Sequence, residues 1–504
     1  MRGLYINCDN SKLRLSSQLA SVYSKQIVLP EQYGNGMLIY NPQEWHNAPM
    51  LSLGSNHFVL SGWFIYKNQR NNLSLLASDL VDCGYEVLRH ITSGSFVLLW
   101  ASPDEKTVIV DPFGLSTHFI DTQSDRITVA PSVKVLYKES VHTLNDTLNS
   151  ILGKKHHLFG NYTLYNGIER LSPGSYKQES TKEACFYYSF ETELEPIALL
   201  GGKVQKLVEN WPYDSRILPL SSGLDSRFLL ANGRFKSGFT YGPENSPEIN
   251  IAGHFRACFS QYKSFDYSEQ PLHDDEPAIL DELSFGILTP IPRLLTNYIY
   301  AKELFPQSNA FFDGYLGDVL QRGTYVGFKG KLGELFKIFP FIYRLYPFSA
   351  KRILQWRYKE LSALEFDLVY ADFLKWTESL KLNDLQKVTY YEFLFGRGGR
   401  YTIFGSNVLA AQLFTVVSPF ADKSVFNSLI NHDFKNALSY KTMHQLWSKV
   451  AKKYSEVKVE SGYTPRSNRF LIPIVQITYR MMFHFIPSRA NYGVKLSRDI
   501  KKGE

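Results

Sequence analysis

The residues of this chain best suited to chemistry lie in one short run, Ser221-Ser222-Gly223-Leu224-Asp225-Ser226. Small side chains at Ser221, Ser222 and Gly223 would let a phosphate approach the backbone. Asp225 offers a carboxylate to the magnesium that accompanies a triphosphate, and Ser226 adds a hydroxyl. The elements that must position these groups are written on either side. Arg216-Ile217-Leu218-Pro219-Leu220 is an apolar run that reads as a buried strand. Leu224, Phe228 and Leu229, at helical spacing, open an amphipathic helix. A strand, a tight turn and a helix bring backbone N–H groups and a positive helix end to a phosphate. The plainer alternative is a turn whose Ser and Asp only cap the helix.

The whole string from Leu220 to Ser226 resembles the pyrophosphate-binding loop of the asparagine synthetase family, the ATP pyrophosphatases that adenylate a carboxylate. That family writes Ser-Gly-Gly-Leu-Asp-Ser, and its first Gly is Ser222 here. The resemblance implies ATP and Mg2+ as cofactors, with Leu220, Ser221, Ser222, Gly223, Asp225 and Ser226 around the nucleotide. A second strand, Phe239-Thr240-Tyr241-Gly242, is followed by Ser246-Pro247-Glu248-Ile249 and a helix carrying Ile251, Ala252 and Phe255. In the family this strand end lines the adenine pocket, which implies that role for Tyr241 and Gly242. Strand–helix–strand units predict a parallel sheet with ligands at the carboxyl ends of its strands.

A third segment, Asp313-Gly314-Tyr315-Leu316-Gly317-Asp318, stands where the family has Ser-Gly-Glu-Gly-x-Asp-Glu. The resemblance implies that Gly314 lies against the nucleotide and that Asp318 is the second magnesium carboxylate beside Asp225. The family's acid–base Glu falls on Tyr315, and the Glu after the Asp falls on Val319. A tyrosine, with a pKa near ~10, is a poor base at neutral pH. The family's late lysine, which stabilises charge on the adenylate, has its best local match in Lys458-Val459-Glu460-Ser461-Gly462. Glu460 falls in that slot, with Lys458 nearby and Lys441 a second choice. Val417-Ser418-Pro419-Phe420-Ala421-Asp422 resembles the family's Pro-Phe-Leu-Asp turn, with Asp422 expected to cap the next helix.

Residues 1 to about 180 read as β-rich, with short branched and aromatic runs at Phe58 to Tyr66, Ser95 to Ala101 and Thr107 to Asp111. The last two, joined by Ser102-Pro103-Asp104-Glu105-Lys106, resemble strands of the same family's glutaminase domain. So does Gly160 to Ser175, most of all in Arg170-Leu171-Ser172-Pro173-Gly174. The implied fold is α/β. A β-rich αββα glutaminase-like domain would span 1–188. A doubly wound parallel-sheet ATP-pyrophosphatase domain with a helical C-terminal portion from about 330 would span 189–504. The boundary is expected near Ser189, and a helix within Glu193 to Trp211 leads into the organising strand. Glutaminase chemistry in the family needs a cysteine at the second position, whose own amine is the base. This chain opens Met1-Arg2-Gly3-Leu4, and Arg2 cannot attack a carboxamide. Val110-Asp111 replaces the family's Arg-Asp, and no segment convincingly holds glutamine. The first domain is therefore expected to be a scaffold, with nitrogen arriving as ammonia or an amine.

Composition sets outer limits. A hydrophobic content of 44% and an aromatic content of 15% over 504 residues predict well-filled cores rather than disorder. The formal net charge is +7 and no basic block stands out, so nucleic acid is not an expected partner. Cys8, Cys83, Cys185 and Cys258 lie far apart without zinc or redox spacing, which predicts a reduced, cytoplasmic chain. The start carries no secretory pattern, and no run of about 18 apolar residues predicts a membrane span. The basic, aromatic stretches Leu332 to Arg352 and Arg469 to Arg489 leave peripheral membrane contact open beside core helices with solvated Lys and Arg. Within these limits, the resemblance to the asparagine synthetase family implies an ATP-dependent amide-forming ligase. Its substrates would be a small-molecule or glycan carboxylate and ammonia or an amine, in a bacterial surface-polysaccharide or secondary-product pathway. The alternative is a nucleotide-binding or scaffolding pseudoenzyme, since Arg2, Tyr315 and Glu460 depart from the family's chemistry.

Overall fold

Along the early strands, side chains alternate between separate cores. Leu4, Ile6, Leu38 and Tyr40 face Val59, Val97, Leu99, Val108 and Val110 across one interior. Their sequence neighbours point the other way. Tyr5, Met37 and Ile39 pack with Val133, Leu148 and Ile151. Phe58, Leu60, Phe96, Leu98 and Ile109 pack with Leu73, Leu76 and Leu80 of helix Leu73–Cys83. The period of two thus builds two facing sheets with helices on both outer sides. Among the described residues, one sheet has six strands and the other seven, and their pairings are antiparallel.

The structure is a computed structural model describing residues 1–8, 18–33, 35–188, 190, 195–268, 270–287, 291–327, 339 and 348–485. The expected boundary at Ser189, most of the stretch 332–352, and residues 486–489 lie outside the described residues.

Later in the chain, strands Arg216–Pro219, Ser237–Gly242, Gln261–Asp266, Ala310–Phe312 and Thr415–Val417 form one parallel sheet. Numbered along the chain, their spatial order is 3-2-1-4-5. The sheet is buried on both faces, as parallel sheets are. Ile217 and Phe311 enter one core, Leu218 and Phe312 the other. The helix expected within 193–211 runs over Leu200–Val208 and buries Val204, Leu207 and Val208. The region from about 330, expected to be mostly helical, also supplies the edge strand Thr415–Val417, three residues too short to show a period of their own. None of the four cysteines forms a disulfide. Among the described residues, no helix is long and apolar enough to cross a membrane.

The antiparallel and parallel parts share their largest core. Trp63 of the first meets Trp211 at a ring-centroid distance of 4.8 Å, and Trp211 meets Phe312 of the parallel sheet at 5.4 Å. Three arginines fasten the same seam. Arg2 Nη1 donates to the carbonyls of Ala411 and Phe414 at 2.9 and 3.2 Å, and its Nε to Ser24 Oγ at 2.9 Å. Arg170 Nη1 donates to Leu394 O at 2.8 Å. Arg400, fully buried, donates to Gly160 O at 2.9 Å and Tyr162 O at 2.5 Å. Replacing Arg400 with Met strands both carbonyls. Arg400→Met is expected to lower unfolding free energy by about 2–4 kcal/mol in a urea titration followed by near-UV circular dichroism. An unchanged midpoint would show that the seam does not depend on this side chain.

Candidate functional site

The strand order reverses between Arg216–Pro219 and Ala310–Phe312. At such a reversal, the loops leaving the carboxyl ends part and open a crevice. A cavity of about 360 Å³ lies there. Leu220, Ser221, Asp225 and Ser226 line it from the first strand's loop, and Tyr241 from the second strand. Gly314, Tyr315 and Asp318 line it from the loop after Phe312. Eight of the sequence-predicted site residues therefore meet around one space. Asp313, Glu248, Tyr298 and Arg322 join them.

Glycine makes the convergence possible. A Cβ on Gly314 would lie 2.6 Å from Ser226 N, and one on Gly317 would lie 2.8 Å from Asp225 Oδ1. Between them Leu316, with φ 70°, holds a left-handed backbone that side chains seldom adopt. It turns the chain directly into helix Gly317–Arg322.

Several expected roles are not met. The Ser221 N–H donates to Ser226 Oγ at 3.0 Å, and the Gly223 N–H to Ser221 Oγ at 3.2 Å. Ser222 gives its N–H to Glu248 Oε1 at 3.0 Å and its hydroxyl to Glu248 Oε2 at 2.5 Å. The loop's first amides are thus satisfied internally, because a buried N–H takes the nearest acceptor. Ser222 and Gly223 do not line the cavity, and neither does Gly242, whose carbonyl accepts from Tyr267 N. Lys458 is exposed and away from the cavity, and its carbonyl accepts from Arg227 at 3.4 Å. Lys441 is likewise exposed. Tyr315 stands in the cavity wall with 49% of its surface exposed. Asp422 caps helix Lys423–Ile430 as expected.

The magnesium pair is half met. Asp225 and Asp318 do come together, with the Asp318 backbone N–H donating to the Asp225 carboxylate. But Arg322 Nη2 donates to Asp225 Oδ2 at 3.0 Å, and Gln321 Nε2 to Oδ1 at 3.3 Å. Among the described residues, no group of three or more His, Cys, Asp or Glu is arranged to hold a metal ion. Arg322 already pairs the Asp225 charge, and among the described residues no third ligand is arranged beside Asp225 and Asp318, so these side chains as they stand do not form a magnesium site. Arg322 was missed in the sequence, although it lies four residues after Asp318 and so on the same helix face.

Burial dominates the electrostatics. It raises the Asp225 carboxyl to about 7, with Arg322 pulling back and Asp318 adding to the rise. It raises Asp313 to about 7 as well, against a hydrogen bond from the Tyr315 N–H and with help from Asp225. Glu248 is raised too, against its two bonds from Ser222. No protein-family model and no curated protein matches this chain.

Asp313 yields a test with a definite sign. Its ordinary carboxyl value is 3.8, and its folded value is about 7. The folded state holds the proton more tightly, so its stabilising contribution is complete below ~4 and is lost as pH climbs through ~7. In Asp313→Asn the acceptor for Tyr315 N–H remains and no charge is buried. The variant's melting temperature is therefore expected to exceed the parent's by a margin that widens from about pH 5 to about pH 8. A margin independent of pH would contradict the raised carboxyl.

Proposed function

We propose that the chain is an ATP-dependent, amide-forming ligase of the asparagine synthetase type. The observation that supports this is the meeting of three separate motif segments, 220–226, 240–241 and 313–318, around one cavity at the strand reversal. In this proposal a carboxylate attacks the α-phosphate of ATP. The bond to the bridging oxygen breaks, pyrophosphate leaves, and an acyl-adenylate forms. Ammonia or an amine then displaces AMP to give the amide. Tyr241 and Tyr298 offer aromatic walls to the base, Ser221 and Ser226 offer hydroxyls to phosphate oxygens, and Arg322 offers positive charge. Tyr315 would orient the incoming nitrogen by hydrogen bonding. No step is assigned to a metal, given the pairing of Asp225 with Arg322.

The antiparallel sandwich is then a glutaminase-like layer without a nucleophile, and the setting a cytoplasmic one. Arg2 supports this, since its guanidinium is bound to Ser24 and to backbone carbonyls. The substrate would be a small-molecule or glycan carboxylate. Internal capture of the loop amides favours a second reading, a nucleotide-binding pseudoenzyme. Exchange of labelled pyrophosphate into ATP separates the two. The ligase should catalyse exchange only when a carboxylate from a panel of amino acids and uronic acids is added. ATP binding without exchange across that panel would favour the pseudoenzyme.

Nitrogen source is a separate test. Purified protein given glutamine, with or without ATP, is expected to release no glutamate. Appreciable release would mean that another residue replaces the missing nucleophile.

A further inference from the structure

Among the described residues, four carboxylates and one cation line the cavity: Asp225, Glu248, Asp313 and Asp318 against Arg322. A polyphosphate entering such a wall is repelled unless positive charge stands between. Arg322 already stands there. Its Nη2 is 3.0 Å from Asp225 Oδ2, and 27% of its side chain remains exposed. The Tyr463 hydroxyl shares a further hydrogen bond with it. Its Nε is buried without a hydrogen-bond partner among the described residues. Burial opposes the charge, but Asp225, Tyr463 and Asp318 outweigh burial and keep the guanidinium protonated.

We propose that Arg322 is the resident cation of this cavity and takes the place of a divalent metal, so that the polyphosphate end of the ligand is held without one. The proposal rests on the cavity being a nucleotide site, as above. A guanidinium suits the task in two ways. Its planar fork presents parallel N–H donors that match phosphate oxygens, which a point charge does not. It is also covalently fixed to helix Gly317–Arg322, where Asp225 holds it in the cavity wall. Asp225 is then an anchor for Arg322 rather than a metal ligand. Its second oxygen is held by Gln321, the residue before Arg322, so one short helix supplies both donors. Hydrogen bonds to two of the carboxylates lower the repulsion that an anion must overcome. Ser222 holds Glu248 through two hydrogen bonds, and the Tyr315 N–H holds Asp313, so neither carboxylate faces the ligand bare.

The test is calorimetric titration of the full-length chain with inorganic pyrophosphate, and separately with ATP. Each is run in EDTA and in excess magnesium. The parent should bind pyrophosphate in EDTA with a dissociation constant within roughly threefold of that in magnesium. Arg322→Gln should weaken binding in EDTA by roughly tenfold or more, and magnesium should restore part of it, because Asp225 Oδ2 and the Asp318 carboxylate then face the ion without the guanidinium between them. Arg322→Lys should fall between the two in EDTA. Binding by the parent only when magnesium is present would overturn the proposal and leave the nucleotide site standing. Undiminished binding by a folded Arg322→Gln in EDTA would overturn it equally. Failure of both ligands to bind in either buffer would remove the nucleotide site itself and this inference with it. The parent's two titrations decide the matter even if a variant does not fold.

Discussion

The site depends on how closely two loops approach. Strands Arg216–Pro219 and Ala310–Phe312 are hydrogen-bonded neighbours, with Arg216 opposite Ala310 and Ile217 opposite Phe311. The segments leaving them would be kept apart by ordinary side chains. Gly314 removes that obstacle, so its backbone rests on the first turn of helix Asp225–Asn232. The pairing of Asp225 with the loop after Phe312 follows from this contact. Asp225 reaches the Asp318 amide, Gln321 and Arg322 because Gly317 lets it pass. Leu316 accepts an unfavourable backbone conformation at the same point, as happens where surrounding packing overrules local preference.

Much of this was legible in the sequence. The apolar run 216–219, the small residues after it and the helical spacing from Leu224 are local signals, and local signals survive into the fold. The branched and aromatic runs at residues 58–66 and 95–101 were equally plain, because each strand buries two opposed faces. What could not be read is a matter of competition. Whether the amide of Ser222 faces a ligand or a neighbour depends on Glu248, which sits on another helix. The capture of Ser222 uses the hydroxyl that replaces a glycine in the resembling family, and the sequence records the hydroxyl but not its target. Lys458 looked apt by type and position, yet the chain at 457–458 is held by Arg227 through its carbonyls and leaves the side chain in solvent. Strand Thr415–Val417 was invisible because three residues among helices carry no period.

The antiparallel sandwich is part of the same body. The contact series Trp63, Trp211, Phe312 and Phe235 carries its interior into the parallel sheet without a polar break. Arg170 and Arg400 lie fully buried at the seam and spend their donors on carbonyls rather than carboxylates. Such bonds fix relative position with little tolerance, since each carbonyl has no alternative donor once water is excluded. Position 2 therefore serves architecture here, with its guanidinium shared among the carbonyls of Tyr23, Ala411 and Phe414.

The Trp63 indole N–H donates to the carbonyl of Val416, 353 residues further on. This bond has a consequence for how the chain is made. A ribosome releases the first sheet long before it has polymerised the strand against which that sheet closes. For most of synthesis, Trp63 and its neighbours have no lid, and their apolar face is open to solvent or to whatever holds nascent chains. Long-range closure of this kind is slow, because distant segments must find each other before any contact rewards them. The strand that carries Trp63 is therefore made early and is among the last to be finished.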